Sequence, residues 1–404
     1  MPTSHAPLPL QGVRVVDLTA VIFGPMATQT LAGLGAEVIK VESLEGDIIR
    51  YGGHTRSPGM STVFMNSNRG KRSLAIDLKT EAGRTALGKL VATADVFAHS
   101  MRRRAAERLA ITYDDIRAIK PDIVYAFACG FASDGPNRDL PAYDDVIQAA
   151  SGLASLAGAE GAPRLIRSIA ADKIAGLFLT QALITALLVK QQTGAGQYVE
   201  VPMMECLAHF VLLEHLADAS FDPPRGGDEG RPGYQRVTSA SRRPHRTKDS
   251  YIVLLPYTTG HWQRFFKLIG RDDMAEAAWI ADPPERSRRV AELYEMIGEV
   301  TPSRTTAEWV AALREIDVPA SPVNTLDDLL DDPQLRASGL FEHYEHPSEG
   351  RLRGLASPVR YSGFEPVSGA APRLGGDGAA ILADIGYGAE EIAALAADGI
   401  IAEG

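Results

Sequence analysis

Apolar and polar positions change rhythm along this chain, and each change marks an element. Residues 12–19, Gly-Val-Arg-Val-Val-Asp-Leu-Thr, form a short β-branched run that reads as a strand. Gly24-Pro25 follows, with the proline suited to a first helical turn, and residues 26–34 read as a helix. Residues 35–42 then read as a second strand. Strand, helix and strand in succession predict a βαβ unit of a parallel sheet. The alternation continues through a polar, basic loop entering a strand at 66–77, a helix near 80–93 and buried strands at 95–99 and 122–128. Residues 141–152 follow a Gly135-Pro136 turn, residues 192–202 read as a glycine turn leading into a strand, and 203–215 as a helix.

One stretch stands apart. Ser168-Ile-Ala-Ala-Asp172-Lys-Ile-Ala-Gly176 runs into residues 177–189, which hold no ionised side chain and no proline. We expect a buried helix with the carboxylate of Asp172 at its mouth. Such an aspartate can cap the helix or pair with Lys173 or Arg167. The small neighbours Ala170, Ala171, Ala175 and Gly176 are expected to leave open space where a ligand approaches.

The texture changes at residues 222–243, rich in Gly, Pro and Arg, which read as a linker. Beyond it, 249–255 and 261–269 open a smaller domain that closes near 318–324; 352–361 read as extended and 379–395 as helical. The predicted fold is α/β: a large domain with a Rossmann-like parallel sheet and a smaller α+β domain. Expected boundaries are 1–221 for the large domain, 222–330 for linker and small domain, and 331–404 for a segment returning to the large domain.

Composition narrows the function. The chain has 404 residues, a formal net charge of −10 and no long basic run, so nucleic acid is not expected as a partner. No export signal and no membrane span is read from the sequence, and two cysteines, Cys129 and Cys206, fit a reducing cytoplasm better than a disulfide framework. No metal is expected, because His343-x-x-His346 lacks a third ligand nearby. Glu42 stands where a ribose-binding acid could, but the Val21-Ile-Phe-Gly-Pro25 turn lacks the glycines of a dinucleotide fold, and no G-x-x-x-x-G-K-[ST] occurs. Neither nicotinamide nor ATP is therefore expected. Basic clusters after successive strands, at 66–77 and at Arg102-Arg103-Arg104, are expected to converge at the sheet's C-terminal edge around an anionic ligand.

In order and spacing, a series of motifs resembles the class III CoA-transferases, the group of formyl-CoA transferase and carnitine CoA-transferase, with α-methylacyl-CoA racemase as a relative. They are Leu34-Gly-Ala-Glu-Val-Ile-Lys-Val-Glu42, Asn68-Arg-Gly-Lys-Arg-Ser73, Ala105-Ala-Glu-Arg-Leu109, Thr193-Gly-Ala-Gly-Gln197, Pro244-His-Arg-Thr-Lys-Asp249, Ile316-Asp-Val-Pro-Ala-Ser-Pro-Val323 and Asp332-Pro-Gln-Leu335. The resemblance implies that Asp172 is the catalytic nucleophile. It implies that CoA is contacted by Val21, Ile22 and Phe23, by Ile76 to Lys79, by Ser100, Met101 and Arg102, and by Arg108, with Tyr143 and Asp144 also at the site. It further implies acyl-CoA and small carboxylates as substrates, succinyl-CoA being the favoured donor, and an interlocked homodimer. Two other readings stay open: an acyl-CoA racemase or epimerase, and a non-catalytic CoA-binding protein. Tyr143 stands where the racemase has a histidine, and a tyrosine of ordinary pKa is a poor base at neutral pH. Ile22 stands where the formyl-CoA enzyme has glutamine, and its tetraglycine loop has no counterpart near residues 255–262, so oxalate is not assumed as acceptor.

Overall fold

The computed structural model describes residues 7–158, 161–225 and 230–402. Strands β1 (Arg14–Leu18), β2 (Glu37–Glu42), β3 (Arg72–Ala75), β4 (Val96–His99), β5 (Val124–Cys129) and β6 (Gln197–Pro202) form one sheet in the order β3-β2-β1-β4-β5-β6. Every neighbouring pair is parallel, with Val16 opposite both Ile39 and Phe97. Val15, Val16, Val96, Phe97 and Val124 are all buried, as expected of a sheet covered on both faces. The order is that of a doubly wound fold, whose switch point lies between β1 and β4, where crossovers leave in opposite directions and a crevice opens.

The helices of this region are α1 (Phe23–Gly33), α2 (Thr62–Ser67), α3 (Glu81–Ala92), α4 (Arg103–Leu109), α5 (Tyr113–Ile119), α6 (Asp144–Ala150), α7 (Leu153–Ala157) and α8 (Ala170–Thr193). Local chemistry sets their starts: the Thr80 hydroxyl accepts from Gly83 N–H at α3, and Thr112 with Asp115 closes a capping box at α5.

Two compact units emerge. The first contains residues 1–157, 165–210 and 336–404; the second contains 158–164 and 211–335. In the first, a hairpin of β10 (Phe341–His346) and β11 (Gly350–Leu355) and two terminal helices, Gly378–Asp384 and Ala389–Ala397, follow. Ile381, Leu382 and Leu395 from that end join the core built on β1 to β5. The second unit holds the antiparallel strands β7 (His245–Arg246), β8 (Tyr251–Leu254) and β9 (Ala320–Pro322). Helix α9 (Met203–His215) leads toward it, and α10 (Gln235–Thr238) and α11 (Thr259–Leu268) follow. Its core gathers Trp262, Phe265, Phe266, Leu293, Ile297 and Trp309.

Two sequence expectations need correction here. The basic stretch at 66–77 does not offer its cations to a ligand. Lys71 is buried in an ion pair with Asp17 at 2.9 Å, Arg69 pairs with Glu342 at 2.7 Å, and Arg72 pairs with Glu37 and Asp384. The helix after Asp172 is buried on one face only. Leu179, Leu183 and Ala186 are packed away while Leu177 (65% exposed), Ile184 and Leu188 face outward, seven and eleven residues apart on one side of the helix. Length and composition alone would let α8 cross a membrane, though its inner face is occupied by the domain's own core.

Candidate active site

The crevice begins where β1 ends. Between Leu18 and α1 the chain turns through Thr19, Ala20, Val21 and Ile22, and Val21 adopts φ 68°, a left-handed conformation unfavourable for a β-branched residue. Buried charges impose it. Asp47 accepts from Val21 N–H at 3.1 Å, Lys40 donates to Thr19 O at 2.8 Å and to Asp47 at 3.0 Å, and Ser100 accepts from Ala20 N–H at 3.0 Å. Behind them Arg50 grips both oxygens of Glu42, each at 2.7 Å. Burial alone would raise the Asp17 carboxyl, but Lys71 and Lys40 and the hydroxyls of Thr19 and Thr28 hold it down to about 2. Gly24 completes the turn, because a β-carbon there would lie 2.2 Å from that of Thr19.

This turn delivers the N–H of Phe23 to the carboxylate of Asp172, which sits in the first turn of α8 and is only 6% exposed. Asp172 is not the cap of its helix. Asp144, from the start of α6, takes that work: its Oδ1 accepts from Ala171 N–H at 2.7 Å and from Asp172 N–H at 3.2 Å. Neither ion-pair candidate named from sequence engages Asp172 among the described residues; Lys173 donates to the Ser168 hydroxyl instead. The Asp172 carboxyl is pushed up to about 6, first by burial and then by the Asp144 charge, against a smaller opposing pull from Phe23 N–H. Asp172 thus keeps a buried carboxylate that faces no cation among the described residues.

Gly176 beside it serves a purpose different from the one expected. A β-carbon on Gly176 would lie 2.7 Å from Met26 Cε and 3.0 Å from Phe23 O, so glycine lets α8 press against α1 and does not create open space. Open space lies instead at the C-terminal edge of β2 and β3. A cavity of about 150 Å³ is lined there by Val41, Ile76, Leu78, Lys79, Met101 and Leu109, among others. Ile76, Lys79 and Met101 are thus brought together. Ser100 ties this group to the turn through Ala20.

His99 steadies the Met101 backbone: its Nδ1 accepts from Met101 N–H at 3.2 Å, and its Nε2 meets the Tyr125 hydroxyl, which itself donates to Ile111 O. That pattern requires the proton on Nε2, and burial with nearby Arg103 pushes the imidazole down to about 3, so it stays neutral.

The remaining predicted residues divide. Arg102 immediately precedes α4 and Arg108 lies in its last turn; both are exposed, as is Lys79, and among the described residues none of the three has an ion-pair partner. Arg103 is drawn to Glu200. Tyr143 precedes α6 with its side chain exposed. No group of three or more His, Cys, Asp or Glu residues suited to a metal occurs among the described residues. Sequence reading missed Lys40 and Asp47 as groups that set the geometry, and named Asp144 at the site without its capping role. The visible signal was polar residues inside apolar strands, Asp17, Lys40 and Glu42, which only a buried partner can explain.

Comparison with known proteins agrees with this architecture. Residues 10–378 match the sequence model of CoA-transferase family III. A probable fatty acyl-CoA transferase of Mycobacterium tuberculosis is 32% identical over 386 residues, covering 93% of this chain and 98% of that protein. Formyl-CoA:oxalate CoA-transferase of Escherichia coli is 30% identical over 413 residues, covering 96% and 98%. Among solved structures, the mycobacterial protein superposes with a TM-score of 0.80 at 30% identity, covering 94% of this chain and 100% of that one. A CAIB/BAIF family protein from Brucella suis gives 0.79 at 30% identity, with the same coverage.

Proposed function

The chain belongs to CoA-transferase family III, and from that premise we propose that it transfers CoA between carboxylic acids with Asp172 as covalent nucleophile. The donor is succinyl-CoA or another short acyl-CoA, and the acceptor is a small carboxylic acid. One Asp172 oxygen attacks the thioester carbonyl, expelling CoA thiolate and leaving a mixed anhydride between Asp172 and the acyl group. The thiolate attacks the Asp172 carbonyl, the donor acid departs as its carboxylate, and an aspartyl-CoA thioester remains. The acceptor carboxylate attacks that thioester to form a second anhydride, and returning thiolate attacks its acyl carbonyl, releasing the new acyl-CoA and the free Asp172 carboxylate. Every step conserves acyl activation, so the cycle consumes no ATP.

The observation that carries this reading is the state of Asp172: buried, relieved of capping by Asp144, unpaired with any cation among the described residues, and facing the N–H of Phe23. The same N–H of Phe23 is suited to stabilising negative charge developing on the carboxyl oxygen during exchange. Val21, Ile22, Phe23, Ile76, Ser100 and Met101 line the path for CoA, and the unpaired Lys79, Arg102 and Arg108 answer its phosphates. We further propose a cytoplasmic homodimer in which a second copy covers the apolar stripe of α8.

Incubation with acyl-CoA followed by hydroxylamine or borohydride tests the mechanism directly. Mass spectrometry is expected to find the adduct on the peptide containing Asp172, and Asp172→Ala to lack both adduct and turnover. Transferase activity retained in Asp172→Ala would refute the assignment. A screen of carboxylic acids against succinyl-CoA and acetyl-CoA identifies the acceptor. Solvent deuterium entering the acyl α-carbon without an acceptor would favour racemase chemistry instead.

A further inference from the structure

The second unit contains a cavity of about 170 Å³ walled by Tyr234, Tyr257, Trp262 and Tyr294 and holding two guanidinium groups, Arg236 and Arg286. Like charges in one small space need a reason. Arg236 comes from the short helix α10, lies over the Tyr257 ring at 4.2 Å and donates through Nε to the Tyr294 hydroxyl at 3.3 Å. Arg286 comes from the helix Pro283–Arg288 and spends Nη1 on Thr259 Oγ1 and Ile280 O. These contacts fix both planes but leave the two terminal nitrogens of Arg236, and Nε and Nη2 of Arg286, without a hydrogen-bond partner among the described residues. Neither guanidinium has an ion-pair partner there; Asp282 is close enough to offset Arg286 in part, but it is exposed and its Oδ1 accepts from Glu285 N–H. Glu285 itself is paired with Arg288. The Arg286 guanidinium is held below its ordinary pKa, by burial first and then by the charge of Arg236.

We propose that this cavity is a binding site for a small oxyanion, a carboxylate or a phosphate, clamped between Arg236 and Arg286 with its carbon skeleton or hydration shell against the tyrosine rings. Two forks with free donors suit two-point recognition of planar or tetrahedral oxygens. Thr259, to which Arg286 is anchored, is the first residue of α11, whose dipole adds positive potential at that end. The cavity, about 170 Å³, has room for a phosphate or a short dicarboxylate. Occupancy would join α10, the 257–259 segment and the helix carrying Arg286. All the residues of the site belong to the second unit.

The experiment titrates full-length protein with sodium phosphate, acetate and succinate at constant ionic strength in chloride, following heat by calorimetry and the melting temperature. We expect saturable binding of at least one oxyanion, weakened at least tenfold in both Arg236→Gln and Arg286→Gln. CoA binding should be unchanged in both. Arg271→Gln, which removes an exposed arginine paired with Asp273, should bind the oxyanion as the parent does. Circular dichroism in chloride buffer confirms that the variants are folded, and Arg236→Lys serves as a milder replacement if Arg236→Gln is not. The phosphate and carboxylate arms identify the ligand class. No saturable binding by any of the three probes, or equal binding by parent and both variants, overturns the proposal.

Discussion

At Asp172 two adjacent carboxylates divide labour. Asp144 spends its charge on the free N–H groups of α8, which leaves Asp172 relieved of that task and, in the proposed function, free to act as nucleophile. The pH consequences follow from the sign of the shift. The folded carboxyl titrates near 6 against an ordinary value of 3.8, so the folded state binds protons more tightly than the unfolded state between those limits. Stability contributed by this group is present below about 3.8 and lost as pH rises through about 6. Asp172→Asn is therefore expected to abolish turnover yet raise stability at pH 7 by about 2–3 kcal/mol, with the gain vanishing toward pH 4 in denaturant titrations. The parent's kcat/KM should fall on the acid side with a midpoint near pH 6, where the nucleophile is protonated. Asp144→Asn retains an oxygen for the cap and removes the neighbouring charge, so the same acid limb should move downward; a limb that stays in place would show that Asp144 acts only as a cap.

At the level of elements, the decisive contact is between α1 and α8. Gly24 lets the turn close on Thr19, and Gly176 lets α8 approach the Phe23 carbonyl. A methyl group at 176 meets Met26 Cε, which can swing aside, and Phe23 O, which cannot without shifting the backbone of the same residue whose N–H faces Asp172. Gly176→Ala is expected to cost about 1–3 kcal/mol by overpacking and to lower kcat more than it raises KM for acyl-CoA. Thermal denaturation and steady-state kinetics check the two effects separately. The strands were legible as β-branched runs and the helices as proline-free apolar runs, because those signals are local. Val21 was not, since a β-branched residue argues against positive φ and only the distant Asp47 and Lys40 hold it there.

For the whole molecule, the outward stripe of Leu177, Ile184 and Leu188 sits on a helix whose opposite face is fully used. Such a stripe along one helix favours a covering partner, and a second copy of this chain is the proposed one. Light scattering coupled to gel filtration is expected to give twice the chain mass. Leu177→Asp with Leu188→Asp should yield monomer or aggregate, and an unchanged dimer would remove this face from the interface. Burial also explains why charge counting from sequence picked some cations wrongly. Arg69, Lys71 and Arg72 are consumed by Glu342, Asp17, Glu37 and Asp384, whereas Lys79, Arg102 and Arg108 remain unpaired among the described residues.

Sequence alone determined the alternation of strands and helices, hence a parallel sheet, and singled out Asp172 as a carboxylate at the mouth of an apolar helix. It could do so because periodicity and composition act over a few neighbouring residues. The tertiary structure decided which side chains were already spoken for: that Asp144 caps α8, that Gly176 serves packing, and that the charges of 69–72 close on partners as far away as Asp384. Those outcomes depend on which groups meet across the fold and lose water together, and Coulomb attraction and desolvation between residues distant in sequence leave no mark on the local pattern.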